Sequence, residues 1–329
     1  MRNIITVILV GLGSVAFGQQ LPQYSQYSRN QFMINPAAAG MYDFVDLTVG
    51  GRYQWVGFDN APKTAFAYGA AVLKRKKTLY NPSVRTSAGS LELPKVNTGK
   101  IKHAVGGQII ADEYGAFRRI SFSGTYAIHL PLTDKMNMSF GTKLGISSNN
   151  FLQERAVLLS ATEGYQGPVV QDQAYDNFTG NQSPVNFMDI GAGFYVYSEN
   201  LFVGAAVDGL TRDLISFGAG TANYDPRMHI NLTGGYKIPL NDDFALMPSA
   251  LAKIVVGTPL SVEGTVQLEY QKRMWFGASY RHGDAIVAML GMSISDKFKF
   301  GYSFDYSTTQ FNQITSGGHE LVLGIMLGR

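Results

Sequence analysis

Residues 297–306 read KFKFGYSFDY, and in this stretch aromatic side chains alternate with charged, polar or small ones. One face carries Phe298, Phe300, Tyr302, Phe304 and Tyr306, and the other carries Lys297, Lys299, Ser303 and Asp305. A period of two predicts a β-strand, because successive side chains of a strand point to opposite faces. The same alternation recurs at residues 121–130 (SFSGTYAIHL) and 260–270 (LSVEGTVQLEY). Each stretch therefore predicts a strand with one apolar and one polar face.

Two kinds of fold contain such strands. A soluble sandwich buries the apolar face in its core, whereas an outer-membrane barrel turns it toward lipid. The predicted strands run to about 9 to 11 residues, a length that suits tilted membrane strands better than globular ones. Short connections at residues 132–135, 198–200, 240–243, 271–273 and 295–297 alternate with mostly longer ones at 148–185, 209–226 and 307–317. Short turns on one side and longer loops on the other favour the barrel.

The full pattern predicts an all-β fold, a transmembrane antiparallel β-barrel of about 14 strands with both ends on the periplasmic side. The predicted strands are residues 44–54, 64–73, 101–112, 117–130, 136–147, 186–197, 200–208, 227–238, 244–254, 259–270, 273–281, 285–294, 297–306 and 318–327. Pro248 makes residues 244–254 the weakest strand, because proline donates no hydrogen bond to a neighbouring strand.

Composition agrees with a membrane protein and excludes several other classes. Charged residues make up 16% of the 329 residues, against roughly 25% in an average globular protein. Cysteine is absent, which excludes disulfides and thiolate chemistry, and a net charge of +3 is too small to indicate nucleic-acid binding. The five histidines are scattered singly, and no nucleophile elbow or Walker loop occurs. The sequence predicts no catalytic residue, no cofactor and no metal site, so the chain is not expected to be an enzyme.

The N-terminus has the features of a secretory signal peptide. Arg2 precedes an apolar stretch at residues 4–17, and small residues Ala16 and Gly18 come just before Gln19. The apolar stretch is shorter than the roughly 20 residues that span a bilayer as a helix. We therefore expect a signal peptide at residues 1–18, a periplasmic or plug segment at 19–43 and an outer-membrane barrel at 44–329. The expected location is the outer membrane, crossed many times after cleavage, with the membrane lipids as partners.

One connection concentrates positive charge. Residues 74–100 contain seven basic residues against one glutamate, a net charge of +6, and Lys74, Arg75, Lys76 and Lys77 are consecutive. Strand counting places this connection in the periplasm, where it would dock an acidic partner or inner-leaflet phospholipid. A solvated insertion without a partner explains the same charges.

Three blocks of the sequence resemble a known family. They are QQLPQYSQYSRNQFMINPAAAG at residues 19–40, RYQWVGFDNAPKT at 52–64 and SGGHELVLGI at 316–325. These blocks are similar to the PorP/SprF family of outer-membrane proteins of the Bacteroidota type IX secretion system. The resemblance implies a non-enzymatic barrel that helps secreted cargo proteins, often large adhesins with a C-terminal sorting domain, cross or stay on the outer membrane. It also implies contact with the periplasmic ring lipoprotein complex. The basic connection at 74–100 departs from the family pattern.

The candidate partner-binding residues come from these blocks and from the basic connection. They are Asn35, Pro36, Trp55, Gly57, Phe58, Pro62, Lys63, Lys74, Arg75, Lys76 and Lys77. Trp55 and Phe58 are also explained as membrane-girdle residues or as loop packing. The rival function is a transporter of hydrophobic small molecules similar to fatty-acid channels, which also have 14 strands and an Asn-Pro-Ala element near the N-terminus. A generic porin is the third possibility.

Overall fold

The computed structural model describes residues 22–73, 98–156, 184–211, 216–217 and 227–328. Fourteen long strands make up most of this part of the chain. They are β1 (Val45–Tyr53), β2 (Lys63–Val72), β3 (Lys102–Tyr114), β4 (Phe117–Thr133), β5 (Met136–Phe151), β6 (Val185–Ser198), β7 (Leu201–Asp208), β8 (His229–Tyr236), β9 (Phe244–Val255), β10 (Ser261–Tyr270), β11 (Met274–Arg281), β12 (Ala285–Ser293), β13 (Phe298–Ser307) and β14 (Gly318–Leu327). Two two-residue strands, Ser216–Phe217 and Ile238–Pro239, pair beside β6 and β9.

The fourteen strands form one closed antiparallel barrel. Each strand pairs with the next along the chain, and β1 pairs with β14 from Val45 opposite Leu327 to Tyr53 opposite His319. The predicted 14-stranded antiparallel barrel is therefore confirmed, and each predicted range overlaps one observed strand. The largest difference is at the end of β5, which continues to Phe151 instead of ending at residue 147.

The two faces of the barrel differ as the alternation predicts. On β14, Leu321, Leu323 and Ile325 are exposed on the outside, whereas Glu320 and Val322, which alternate with them, are buried inside. The other strands follow the same rule, with apolar side chains outside and many polar or charged ones inside. An apolar outer surface around a polar interior is the arrangement of a barrel that spans a membrane.

Most connections are short at one end of the barrel and longer at the other; exceptions include the long connection 73–101 at the first end and the two-residue connection 115–116 at the second. At one end β4 and β5, and likewise β6 and β7, are joined by only two residues, 134–135 and 199–200. At the other end lie the long connections 152–184, 209–228 and 308–317. The short-turn end is the periplasmic one and the long-loop end is extracellular. Among the helices that the structure describes, none is long and apolar enough to cross a membrane.

The N-terminal segment lies inside the barrel. We call residues 22–44 the plug; it contains the one-turn helix α1 (Gln31–Ile34) and a 3₁₀ turn at Pro36–Ala38. Most of its side chains are buried. It approaches the wall so closely that a Cβ on Gly141 would stand 2.5 Å from the carbonyl carbon of Pro36. The expected periplasmic or plug segment is thus a plug that occupies the lumen.

Pro248 sits where the ladder of the barrel is interrupted. On one side it pairs with Val266 of β10. On the other side, β9 pairs with β8 only from Ser249 onward, and residues 245–246 pair instead with the short strand Ile238–Pro239. The strand predicted as weakest therefore exists, because its proline falls at a gap in the pairing and needs no ladder hydrogen bond there.

Candidate partner-binding surface and lumen

The loop that joins β1 to β2 at the extracellular end holds the QWVGF and APKT blocks. The backbone N–H of Gln54 donates to the carbonyl of Pro62 at 3.0 Å, and that of Phe58 donates to Trp55 at 3.1 Å, so the loop folds back on itself. Trp55 has a φ of +50°, a left-handed conformation that is uncommon for a bulky residue. Such a conformation costs on the order of 1 to 3 kcal/mol and persists only where the surroundings hold it.

Neighbouring connections provide those surroundings. The N–H of Val56 donates to Gly317 at 2.8 Å, and the N–H of Ser316 donates back to the carbonyl of Val56 at 2.7 Å. On the other side, the N–H of Gly115 donates to Asn60 at 3.2 Å. Residues 54–62, 115–116 and 308–317 thus form one braced surface, which we call the rim patch.

The rim patch brings together part of the candidate set. Phe58 is 43% exposed and Gly57 is exposed, whereas Trp55 and Pro62 are half-buried. Lys63, which starts β2, places its ammonium 4.9 Å from the centre of the Tyr53 ring. Whether these residues bind a partner stays a prediction, but the structure places them side by side at the extracellular end.

Asn35 and Pro36 lie elsewhere, deep in the lumen. The side-chain amide of Asn35 donates to the carbonyls of Phe194 at 3.0 Å and Ala205 at 3.3 Å, on β6 and β7. Its oxygen accepts from the N–H of Ala37 at 2.9 Å and so caps the 3₁₀ turn that Pro36 begins. Both residues are buried, and they fix the plug to the wall. Lys74, Arg75, Lys76 and Lys77 lie outside the described residues, as does the expected signal peptide at 1–18.

A buried charge cluster holds the end of the plug that is nearer the extracellular side, which we call its upper end. Its members come from strands on both sides of the junction between β14 and β1. Arg52 of β1 binds Asp305 of β13 at 2.7 Å and Glu320 of β14 at 3.4 Å. Arg281 of β11 binds the same Asp305 at 3.1 Å and Glu263 of β10 at 2.9 Å. We call these five residues the polar anchor.

The plug completes the polar anchor with its own backbone. The N–H groups of Ser25 and Gln26 donate to the two carboxylate oxygens of Glu320 at 2.8 and 3.0 Å. The hydroxyl of Ser25 donates to Asp305 at 2.8 Å. Buried carboxylates are costly unless hydrogen bonds satisfy their oxygens, and here the plug supplies three of them. The charges of the wall and the backbone of the plug therefore stabilise each other.

The lower end of the plug, nearer the periplasm, is held by wall side chains that bind the backbone carbonyls of every second plug residue. Ala37 accepts from the hydroxyl of Ser139 at 2.7 Å, and Met41 accepts from the ammonium of Lys102 at 3.0 Å. Between them, the carbonyl of Ala39 accepts from Nε2 of His129 at 2.8 Å. That bond requires the proton on Nε2, so the neutral ring accepts at Nδ1 from the hydroxyl of Tyr197 at 2.7 Å.

At the periplasmic end, the plug and the strand turns enclose a cavity of about 650 Å³. Its border includes three exposed carboxylates, those of Glu199, Asp242 and Asp243, and the exposed ammonium of Lys272. Nearby, the hydroxyl of Thr98 donates to Asp134 at 2.8 Å and attaches the end of the basic connection to the turn between β4 and β5. The border of this cavity thus has more exposed carboxylates than exposed ammonium groups.

Within the part of the chain that the structure describes, no group of three or more His, Asp or Glu residues is arranged to hold a metal ion. Most of the buried charges are instead paired with one another or bound to the plug.

Comparison with known protein families identifies the family of this chain. The family described as type IX secretion system membrane protein PorP/SprF matches residues 16–325. The chain belongs to the PorP/SprF family. Membership makes it an outer-membrane component of the type IX secretion system, and neither the family nor the barrel fold is that of an enzyme. No curated protein matches the chain.

Solved outer-membrane barrels resemble this PorP/SprF chain in fold. The monoaromatic hydrocarbon channel CymD has a TM-score of 0.50 and 11% identity, with 94% of each chain covered. The P. putida toluene transporter TodX has a TM-score of 0.45 and 11% identity, with 90% of this chain and 92% of TodX covered. Omp33 of Acinetobacter baumannii has a TM-score of 0.41 and 11% identity, with 86% of this chain and 97% of Omp33 covered. At such identities the likeness concerns the fold alone.

Sequence reasoning missed the polar anchor. Arg52 begins one of the blocks that resemble the family, and Asp305 lies on the polar face of the stretch 297–306, but nothing in the chain order indicates that these charges and Arg281 meet. A usable signal is the position of each charge, since Arg52, Arg281, Asp305 and Glu320 all face inward near the extracellular ends of their strands. Inward charges of both signs at one level of a barrel are expected to pair, because the alternative is a costly buried charge.

Proposed function

We propose that this PorP/SprF chain supports the secretion or surface attachment of cargo proteins that carry a C-terminal sorting domain, and that it contacts the periplasmic ring lipoprotein complex. The observation that carries the proposal is the rim patch. There, a strained loop is held rigid by its neighbours and exposes an aromatic side chain at the extracellular end of the barrel.

A rigid, exposed aromatic residue suits the binding of another protein. Aromatic side chains contribute large contact areas at interfaces, and a loop that is already ordered loses little conformational entropy when it binds. Phe58 is exposed, whereas Trp55 is half-buried and its carbonyl accepts from the N–H of Phe58 within the loop. We therefore assign the contact with cargo to Phe58 and its surroundings, and the support of that contact to Trp55.

The presence of the plug favours a barrel that serves as a scaffold for protein binding over a barrel that serves as an open pore. It is bonded to β13 and β14 at its upper end and to β3, β4 and β5 at its lower end, so it crosses the lumen between walls. A generic porin leaves a water-filled channel instead. A transporter of hydrophobic molecules needs a path past the plug, and this requirement makes it the weaker of the two proposals.

We assign ring-complex docking to the periplasmic face. The basic connection leaves β2 and returns to β3 on this side, and its Thr98 is attached to the turn at Asp134. Its net charge of +6 would attract an acidic surface of a lipoprotein, and this attraction weakens as salt screens the charges.

The test is a deletion strain that is complemented with variants and assayed for surface cargo by mass spectrometry. Phe58→Ala should lower surface display of C-terminally tagged proteins several-fold at unchanged barrel abundance. The matched control is Leu260→Ala, because Leu260 is 57% exposed in the extracellular connection between β9 and β10, seven strands away from β2. In the same strains, replacing Lys74, Arg75, Lys76 and Lys77 by Ser should reduce co-purification of ring lipoproteins, more so at low salt.

Equal cargo display in the Phe58→Ala and wild-type strains would refute the role of the rim patch. Normal cargo display in the full deletion, together with lost growth on long-chain fatty acids, would favour the transporter instead.

A further inference from the structure

A second cavity lies above the plug, toward the extracellular end of the lumen. One wall is formed by β3 to β7, the other by β8 to β10, and plug residues from Pro22 to Ile34 form its floor. Thr258 and Pro259, from the connection between β9 and β10, mark its extracellular edge. Its volume is about 70 Å³, room for about five water molecules, and the cavity is not fully enclosed, so a longer ligand can extend out of it. Nothing in the proposed role of the rim patch makes use of this space.

The cavity contains a cation without a counter-ion. Lys253 faces it from β9, between Asn231 and Ser261 on the two neighbouring strands. Among the described residues, Lys253 makes no hydrogen bond or ion pair. Glu263, on the neighbouring strand β10, is already bound by Arg281 in the polar anchor.

The other cations of this cavity are paired. Lys143 binds Asp208, and it lies 3.6 Å from Asp189. Arg119 is 3.8 Å from Asp189 and stands opposite Asp112 in the ladder between β3 and β4. Their wall holds three carboxylates, those of Asp112, Asp189 and Asp208, against these two cations. The wall with Lys253 instead carries a positive charge that is partly removed from water. Such a charge is stabilised by an anion that enters the cavity.

Two buried polar atoms of the same cavity also lack partners. In the described part of the chain, the hydroxyl of Tyr24 and the side-chain oxygen of Gln108 have no hydrogen bond, although both are shielded from solvent. A buried polar atom without a partner is costly, so such atoms indicate a bound molecule or water. The hydroxyl can donate to an anion, and the amide oxygen can accept from an N–H group.

The remaining lining is apolar. Met33 and Ile34 of the plug and Val255 of β9 border the cavity. The lining thus offers a cation, a hydroxyl donor and an amide acceptor beside apolar side chains, the mixture typical of small-molecule sites.

We propose that this cavity binds an organic carboxylate that ends a short apolar chain. The ammonium of Lys253 provides the counter-ion, the Tyr24 hydroxyl donates to a carboxylate oxygen, and Met33, Ile34 and Val255 contact the chain. Two sources share this chemistry, a free fatty acid and the C-terminal end of a peptide. The unpaired oxygen of Gln108 favours the peptide, which carries an N–H next to its carboxylate.

The test compares small ligands by ligand-observed NMR on the purified full chain in nanodiscs. Hexanoate, hexan-1-ol and hexylammonium share one chain and differ in charge, and hexanoate should bind about tenfold more tightly than either of the others. Lys253→Met should remove this preference. Tyr24→Phe should weaken hexanoate several-fold and leave hexan-1-ol unchanged. The matched control is Lys299→Met, because Lys299 already binds Asp46 at 2.9 Å near the periplasmic end.

N-acetylleucine and its amide separate the two sources. Tighter binding of N-acetylleucine than of hexanoate assigns the site to a peptide end, and the reverse order assigns it to a fatty acid. Equal affinities for the three six-carbon ligands, or a full hexanoate affinity in Lys253→Met, would overturn the proposal. A gel shift on heating shows that each variant is folded, and Lys253→Gln replaces Lys253→Met if that variant is not.

Discussion

Removal of the Glu320 carboxylate should release the upper end of the plug. This carboxylate is fully buried and accepts from the N–H groups of Ser25 and Gln26 and from Arg52. In Glu320→Ala, two buried N–H groups lose their acceptor, at about 1 to 3 kcal/mol each. The lower end of the plug keeps its bonds at Lys102, His129 and Ser139. We therefore expect local release, at a cost of about 2 to 6 kcal/mol, and not collapse of the barrel.

Glu320→Gln gives an intermediate case. The amide keeps one oxygen that can accept one of the two N–H groups, but it turns an NH₂ group toward the other. We expect about half of the cost of Glu320→Ala. The order of plug stability should be wild type, then Glu320→Gln, then Glu320→Ala.

Cysteine labelling can measure this order, because the chain contains no cysteine of its own. Gln26 is buried in the wild type, so Gln26→Cys should react slowly with a water-soluble maleimide. A change of 2 kcal/mol raises the open population about 30-fold, and the labelling rate should rise with it. Glu199→Ala, on an exposed periplasmic turn, is the control. Equal labelling rates in Glu320→Ala and in this control would show that the polar anchor does not hold the plug.

Two further predictions concern the lumen and the lipid surface. Gly141→Ala should destabilise the folded barrel by about 1 to 3 kcal/mol, because the new methyl group would overlap the plug backbone at Pro36 and Ala37. The control is Gly124→Ala, whose methyl group meets no atom within 4 Å and should leave the stability unchanged. Equal melting temperatures of the two variants on heated gels would contradict this packing. Leu144→Arg should lower the free energy of unfolding by about 2 to 4 kcal/mol, because Leu144 is 56% exposed near the middle of β5 on the lipid face. The control Leu144→Met keeps an apolar side chain and should fold normally. Urea titration in lipid vesicles compares the stability of the two variants.

The strands were predictable because a single pattern determines both conformation and orientation. Phe304 and Asp305 alternate, so the same two residues predict a strand and show which side chain faces the lumen. The extension of β5 beyond residue 147 was not predictable in this way. Ser148, Asn149 and Asn150 are polar on both faces, yet all three pair with β4, and Ser148 and Asn149 also pair with β6. At the extracellular end a strand needs no apolar face, so it can continue without the alternation.

The candidate site was predictable only where its parts are neighbours in the sequence. Trp55, Phe58 and Pro62 lie in one short loop, and the family blocks identify that loop directly. Its supports at Gly115 and Gly317 lie in two connections that are distant in the sequence and that the pairing of the strands brings close. The plug is a stronger case, because Ser25 contacts a residue 295 positions away and residues 22–44 show no period that would indicate their path.

The polar anchor also bears on how the protein is made. Glu320 lies on the last strand and Arg52 on the first, so the groups that hold Ser25 come together only when β14 joins β1. Contacts between residues so distant in sequence form late and slow the acquisition of the native state. Strands must therefore assemble around an N-terminal segment whose upper end still lacks its partners. In a nascent chain arrested before β14, the N–H groups of Ser25 and Gln26 would lack their acceptors. These exposed groups distinguish an unfinished barrel from a closed one for the machinery that inserts it.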